Sequence, residues 1–349
     1  MEKLNNAIVY CESNFNKMDG KTANGLVRYS EKYNIVGIID SSYAGQDAGN
    51  ILDNNPNGIM VYKNILECLT CNTDIIIDTF IYGMAPLSGF FSKEDEDVIF
   101  YAMEKKMNII NGLHEFLTDK ILFTRKAKEC DVKIYDIRKP KKVEDLSIFT
   151  GRITDVKCPV IAILGTDSAV GKRTTTTILT KALCNIGLKA IMVTTGQTGL
   201  IQGAKYGTAL DALPEQFISG EMENAVLNAW DSERPDIILV EGQGSLSHPA
   251  YLSSCFIIRG SQPNAIILQH PPKREVLGDY PRIKMPTVQS EIDLIETFAG
   301  KPVIGITINH ENMNRAELDE TITLYQNLYK LPVTDVLTYE CDVLIKNTS

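Results

Sequence analysis

Apolar residues in this chain fall into short runs separated by stretches of helical spacing, and the alternation continues along its whole length. In the first half the runs at 7–11, 34–40, 58–62, 74–78, 108–111 and 132–137 read as strands. The most pronounced is Asp74-Ile-Ile-Ile-Asp78, bounded by polar residues on both sides. Between them, 21–33 carries Ala23, Leu26 and Val27 at helical spacing, and 98–106 follows an acidic stretch, 93–97, that suits a helix start. In the second half strands are expected at 159–164, 188–195, 235–241, 264–269 and 302–309, with an edge segment at 332–335. Helices are expected at 173–186, capped by Gly187, and at 221–230, 290–299 and 315–328. Strands alternating with helices predict an α/β protein with parallel sheets covered on both faces.

Around Arg138-Lys-Pro-Lys-Lys142 the periodicity gives way to a basic, proline-containing stretch. A chain of 349 residues exceeds what one hydrophobic core usually fills. The stretch therefore marks a junction, with domains expected at 1–148 and 149–349.

Composition narrows the partners. A formal net charge of −9 leaves no electrostatic footprint for nucleic acid. No apolar run approaches the ~20 residues of a membrane span, and the first residues lead into a strand pattern without a signal-peptide core. Eight scattered cysteines suit a reducing compartment, so a cytoplasmic protein is expected. Cys68 and Cys71 form a C-x-x-C pair, but no second pair or neighbouring histidine completes a zinc site. A small-molecule substrate and a homo-oligomer are the expected partners of a metabolic enzyme of this size.

The chemistry concentrates in Gly165-Thr-Asp-Ser-Ala-Val-Gly-Lys-Arg-Thr174, which follows an apolar strand and opens a helix. Glycines let loop N–H groups turn inward, the helix start adds positive potential, and Lys172 brings a full charge to the outer phosphates. Gly165, Thr166, Ser168, Gly171, Lys172, Arg173, Thr174 and Thr175 are the candidate phosphate-binding residues. The loop departs from the usual spacing twice: Thr166 fills the first-glycine position, and Arg173 displaces the hydroxyl expected after the lysine, leaving Thr174 or Thr175 to face magnesium. Glu241, ending an apolar strand about 70 residues later, is the matching metal-side carboxylate, and Asn309, ending another strand, is placed to read a nucleotide base. Asp167 on the loop and His248, in Ser-Leu-Ser-His-Pro after Glu241, complete the catalytic candidates. Arg282 is a candidate clamp for a substrate carboxylate; His114, His270 and His310 are read as structural or of uncommitted role. In the first half, Asp40 ends a strand where a dinucleotide enzyme keeps its ribose-binding acid, but the preceding loop has only Gly20 and lacks the glycine fingerprint.

These segments resemble known families at two levels. The loop, Val193-Thr-Thr-Gly-Gln-Thr-Gly199 and Val240-Glu-Gly-Gln-Gly244 are similar to motifs of dethiobiotin synthetase and its cobyrinate amidase relatives. The strand-end lysine of that pattern is Thr194 here, so the resemblance does not imply dethiobiotin as product. Over nearly the whole chain the segments 20–28, 111–117, 167–176, 217–220, 240–249 and 280–282 resemble a two-domain P-loop family that includes bacterial D-glutamate N-acetyltransferase. The resemblance implies an N-terminal Rossmann-like domain followed by a P-loop NTPase-like domain of the dethiobiotin synthetase type.

Three functions follow as alternatives. In the first, ATP and Mg2+ activate a carboxylate of an amino-acid-like substrate by phosphoryl or acyl transfer. Lys172 and the loop amides then stabilise phosphoryl charge, Glu241 with Thr174 or Thr175 orders the metal, and Asp167 orients a nucleophile or touches the metal shell. In the second, implied by the family resemblance, the cradle holds the phosphates of acetyl-CoA and His248 acts as general base toward the amine of D-glutamate. The third is a non-enzymatic nucleotide-dependent switch.

Overall fold

The computed structural model describes residues 4–348, which divide into two compact units. Residues up to 140 together with 197–204 form the first, and 141–196 with 205 onward form the second. The basic stretch 138–142 is thus divided between the units, and residues 141–148, expected in the first domain, belong to the second unit.

The first unit contains β1 (Asn5–Tyr10), α1 (Lys21–Arg28), β2 (Tyr33–Ile39), α2 (Ala48–Asp53), β3 (Met60–Tyr62) and α3 (Ile65–Cys71). It continues with β4 (Thr79–Tyr82), α4 (Lys93–Glu104), β5 (Asn108–Asn111), α5 (Ile121–Cys130) and β6 (Ile134–Asp136). The strands form a six-stranded sheet, all pairs parallel, in the order β3-β2-β1-β4-β5-β6. That is the order of a Rossmann-like domain, with the chain reversing direction across the sheet between β1 and β4. The isoleucine run at 74–78 is not a strand. Its backbone turns at Asn72, Ile76 stands 83% exposed, and pairing with β1 starts only at Thr79. Helix α4 starts five residues before the apolar pattern does, because Ser92 and Asp95 close a capping box that satisfies the first-turn amides.

The second unit opens with β7 (Val160–Gly165), α6 (Lys172–Asn185) and β8 (Ala190–Thr194). Next comes α7 (Gln197–Gln202), which the division assigns to the first unit. There Thr198 shares a 2.8 Å hydrogen bond with Thr22, and Gln202 Nε2 donates to the carbonyls of Gly25 and Tyr29. The second unit resumes with β9 (Tyr206–Gly207), α8 (Glu215–Glu233), β10 (Ile237–Glu241), α9 (Ser253–Ser261) and β11 (Ala265–His270). It ends with β12 (Val276–Leu277), β13 (Tyr280–Lys284), α10 (Val288–Ala299), β14 (Val303–Ile308), α11 (Arg315–Tyr329), β15 (Val333–Thr334) and α12 (Asp342–Thr348). Seven parallel strands run in the order β15-β14-β11-β7-β10-β8-β9, and β12 and β13 form a separate antiparallel hairpin. Strands β7, β10 and β11 are buried at every residue, as central parallel strands with helices on both faces must be. Among the described residues, no helix is long and apolar enough to cross a membrane.

Candidate functional site

Strand β7 lies between β11 and β10 in the middle of its sheet and delivers the loop 166–171 at its C-terminal end. That end of an open parallel sheet is where such folds bind ligands. Gly165 is favoured by close approach: a Cβ there would sit 3.0 Å from the Gln269 carbonyl oxygen and 3.1 Å from the Lys172 side chain. Gly171 is required by conformation, with φ +104° at the N-cap of α6. Lys172, buried at the first helical position, donates its Nζ to the carbonyl of Asp167 at 2.5 Å, so its charge is folded over the loop it closes.

Asp167 anchors that loop. Its Oδ1 accepts the amide of Ser168 at 2.7 Å, and its Oδ2 accepts Arg274 Nη1 and the amide of Gly278, each at 2.9 Å. Burial pushes its pKa up, but the His248 N–H beside it and the donors from Gly278, Arg274 and Ser168 outweigh burial and hold the carboxyl below its usual range. Arg274 in turn forks onto Glu311, Nε to Oε1 at 2.8 Å and Nη2 to Oε2 at 2.7 Å, and also reaches the Ser168 carbonyl at 3.0 Å. The Ser168 hydroxyl donates to Asp279, which also accepts the Tyr251 hydroxyl at 2.8 Å. Both oxygens accept hydrogen bonds from the loop and its neighbours, so Asp167, expected to orient a nucleophile, shapes the loop in this structure.

His248 is 3% exposed and stacks on Tyr251 at 4.3 Å. Its Nδ1 accepts the backbone amides of Ala250 at 3.2 Å and Tyr251 at 3.1 Å. A nitrogen that accepts two amides carries no proton, so the neutral ring bears its hydrogen on Nε2. That Nε2 lies 3.5 Å from Asp167 Oδ1 and has no hydrogen-bond partner. The expected general base is therefore a fixed N–H donor. The Ser245–His248 turn is held by the buried Glu291, which accepts the Leu246 amide at 2.6 Å and the Ser247 hydroxyl at 2.5 Å.

Glu241 ends β10 level with Ile163 of β7. Its Oε2 accepts the Thr194 hydroxyl and the Thr195 amide. Burial raises its pKa, and the positive charge of Arg173 is the largest influence opposing the rise. Thr166 N donates to the Gln269 carbonyl, and Thr166 Oγ1 meets His270 Nδ1 at 2.9 Å. Thr175 is tied by its hydroxyl to Gln269 Oε1, which also accepts Thr307. Asn309, expected to read a base, buttresses the loop here: its Nδ2 donates to the Val170 carbonyl at 3.0 Å and its Oδ1 accepts the Glu311 amide.

Loop, lysine and strand-end acid thus meet at one end of the second unit's sheet, as the spacing implied, while other candidates stand apart. The expected Gln197-Thr-Gly199 turn is the start of α7, and Gln197 Oε1 accepts Arg138 Nη2 at 2.9 Å within the first unit. Arg282 is exposed on β13. Asp40 is 0% exposed and spends its carboxylate on the amides of Phe15 and Ser42, at 3.0 and 2.9 Å, leaving nothing for a ribose. The sequence did not point to Arg274, Asp279, Glu291 and Glu311, the basic and acidic residues that hold loops 166–171 and 245–248. Gln269, at a strand end, had the one detectable signal. Among the described residues no group of three or more His, Cys, Asp or Glu is gathered as a metal site.

Comparison with known proteins extends this picture. Residues 147–345 match the P-loop domain, and residues 41–140 the Rossmann-like domain, of a family described as a domain of unknown function, DUF1611. A protein of Pseudoalteromonas sp named D-glutamate N-acetyltransferase is 30% identical over 300 residues, covering 83% of this chain and 87% of its own length. One of the same name from Tritonibacter scottomollicae is 27% identical over 263 residues, covering 74% and 77%. The crystal structure of a DUF1611 family protein from Anabaena variabilis ATCC 29413 matches at a TM-score of 0.90 and 29% identity, over 99% of both chains.

Proposed function

The chain belongs to the two-domain DUF1611 family, and from that premise we propose that it is an N-acyltransferase that moves the acetyl group of acetyl-CoA onto the amine of D-glutamate or a similar small acidic amino acid. The observation that carries this reading is the cradle: a glycine-bounded loop at the C-terminal end of β7 that opens α6 with Lys172 and Arg173. That donor set fits the diphosphate of a coenzyme as well as that of a nucleotide. The names of the two curated relatives support the choice of transfer and substrate.

The residues present fit such a group. Loop 166–171 ends in Gly171 at a φ that favours glycine, and Lys172 and Arg173 open the helix that follows it. Bound acetyl-CoA would supply an acyl group activated as a thioester. Lys172 would turn from the Asp167 carbonyl to phosphate oxygens, and the Asp167–Arg274–Glu311 chain would hold the loop in shape meanwhile. His248, with its hydrogen on Nε2, would donate to developing negative charge and would not remove a proton from the amine.

Thermal melts with acetyl-CoA, ATP–Mg2+ and GTP–Mg2+ test the reading. Stabilisation by acetyl-CoA that exceeds the effect of either nucleotide is expected. Strong stabilisation by ATP–Mg2+ with none by acetyl-CoA would overturn it in favour of phosphoryl activation.

A further inference from the structure

In a phosphate loop that works with magnesium, the residue directly after the lysine offers its hydroxyl to the metal, opposite an acid at the end of a neighbouring strand. The acid is present here as Glu241, but the position after the lysine is Arg173. Helix α6 packs over β7, β8 and β10, so its first turn lies above the strand ends where Glu241 sits.

The remaining hydroxyls do not restore a magnesium site. Thr175 is committed to Gln269, and Thr176 donates to the Lys172 carbonyl at 2.8 Å. Thr174 is turned about 100° around the helix from Arg173, away from the face that follows the lysine. Glu241 Oε2 already accepts two donors, from Thr194 and Thr195. Magnesium, expected at Thr174 and Glu241, does not fit the residues present: the hydroxyl it would need directly after the lysine is replaced by the positive charge of Arg173.

We propose that Arg173 takes the place of the divalent cation in this cradle, so that the site binds a diphosphate ester without metal and disfavours one that arrives as its magnesium chelate. The guanidinium supplies what the metal would, a positive charge with planar, paired donors for phosphate oxygens. A second, divalent charge brought to the same place is repelled. The choice of coenzyme A as ligand rests on the function proposed above; the metal independence does not.

Calorimetric titration of the whole protein with coenzyme A and with ADP, each in EDTA and in excess Mg2+, tests this. Coenzyme A is expected to bind in EDTA, with affinity unchanged or reduced by Mg2+. Arg173→Lys should keep metal-free binding. Arg173→Thr, which rebuilds the missing hydroxyl, should weaken binding in EDTA by roughly ten- to hundredfold and recover it with Mg2+. The fluorescence of the single tryptophan, Trp230, reports whether each variant is folded. Wild-type binding that requires Mg2+, no binding of either ligand in EDTA, or an Arg173→Thr variant indistinguishable from wild type would each overturn the proposal. Metal-free binding of ADP with none of coenzyme A would uphold it while removing the acetyltransferase reading.

Discussion

Replacing His270 by asparagine should flatten the pH dependence of stability between pH 7 and 4. His270 ends β11 and holds Thr166 of the cradle through Nδ1 at 2.9 Å. Burial, helped by the charge of Arg274, lowers its pKa from 6.5 to about 4. As the pH falls below 6.5 the unfolded chain takes up a proton that the folded chain refuses. The stability due to a neutral His270 is therefore complete above that value and is lost as the pH falls to about 4, where the folded protein also becomes protonated. A gap of about 2.5 pH units at about 1.4 kcal/mol per unit amounts to about 3.5 kcal/mol, of which about 3 kcal/mol is lost by pH 4. Asparagine keeps a polar group where Nδ1 stands and does not titrate. Urea unfolding followed by Trp230 fluorescence at half-unit steps should show the wild type losing about 3 kcal/mol more than the variant across this window. Carboxylates titrate in both proteins and cancel in the difference. Parallel stability curves, separated by a constant offset at every pH, would refute the reasoning.

Three further outcomes are expected. Arg274→Met leaves Asp167 and Glu311 without their shared cation and should destabilise by about 3–5 kcal/mol in urea unfolding, as loss of one member of a buried ion pair does. Gly171→Ala forces a side chain into φ +104° and should cost about 1–2 kcal/mol while abolishing the stabilisation of thermal melts by ligand. Nitrogen-15 NMR of His248 should show a protonated Nε2 and a bare Nδ1 at neutral pH; the opposite tautomer would return the ring to the role of general base.

The cradle was legible in the sequence because it is local: strand, glycine-bounded loop and helix start lie within about fifteen consecutive residues, and each obeys a short-range backbone rule. Glu241 was legible for a related reason, being the polar end of an apolar strand. The ionic frame was not, because Arg274 meets Asp167 from 107 positions away, and nothing in the spacing of either residue records the encounter. His248 was visible as a residue, but its chemistry was not, since the tautomer is set by the amides of the turn that follows it. The Gln197–Gly199 segment misled for the opposite reason. Its Gly-Gln-Thr-Gly composition reads as a turn, and its helix is fixed by Thr22, Gly25 and Tyr29, which lie far back in the chain.

The central claim is that the Gly165–Lys172 cradle serves acyl transfer to a small acidic amino acid. Mass spectrometry of products, with acetyl-CoA or ATP–Mg2+ offered alongside a panel of D- and L-amino acids, tests it most directly, with Lys172→Ala as control. An N-acetylated acidic amino acid should form with acetyl-CoA alone and be lost in the Lys172→Ala variant. Full turnover by that variant, or phosphate released from ATP with no acetylated product from acetyl-CoA, would contradict it.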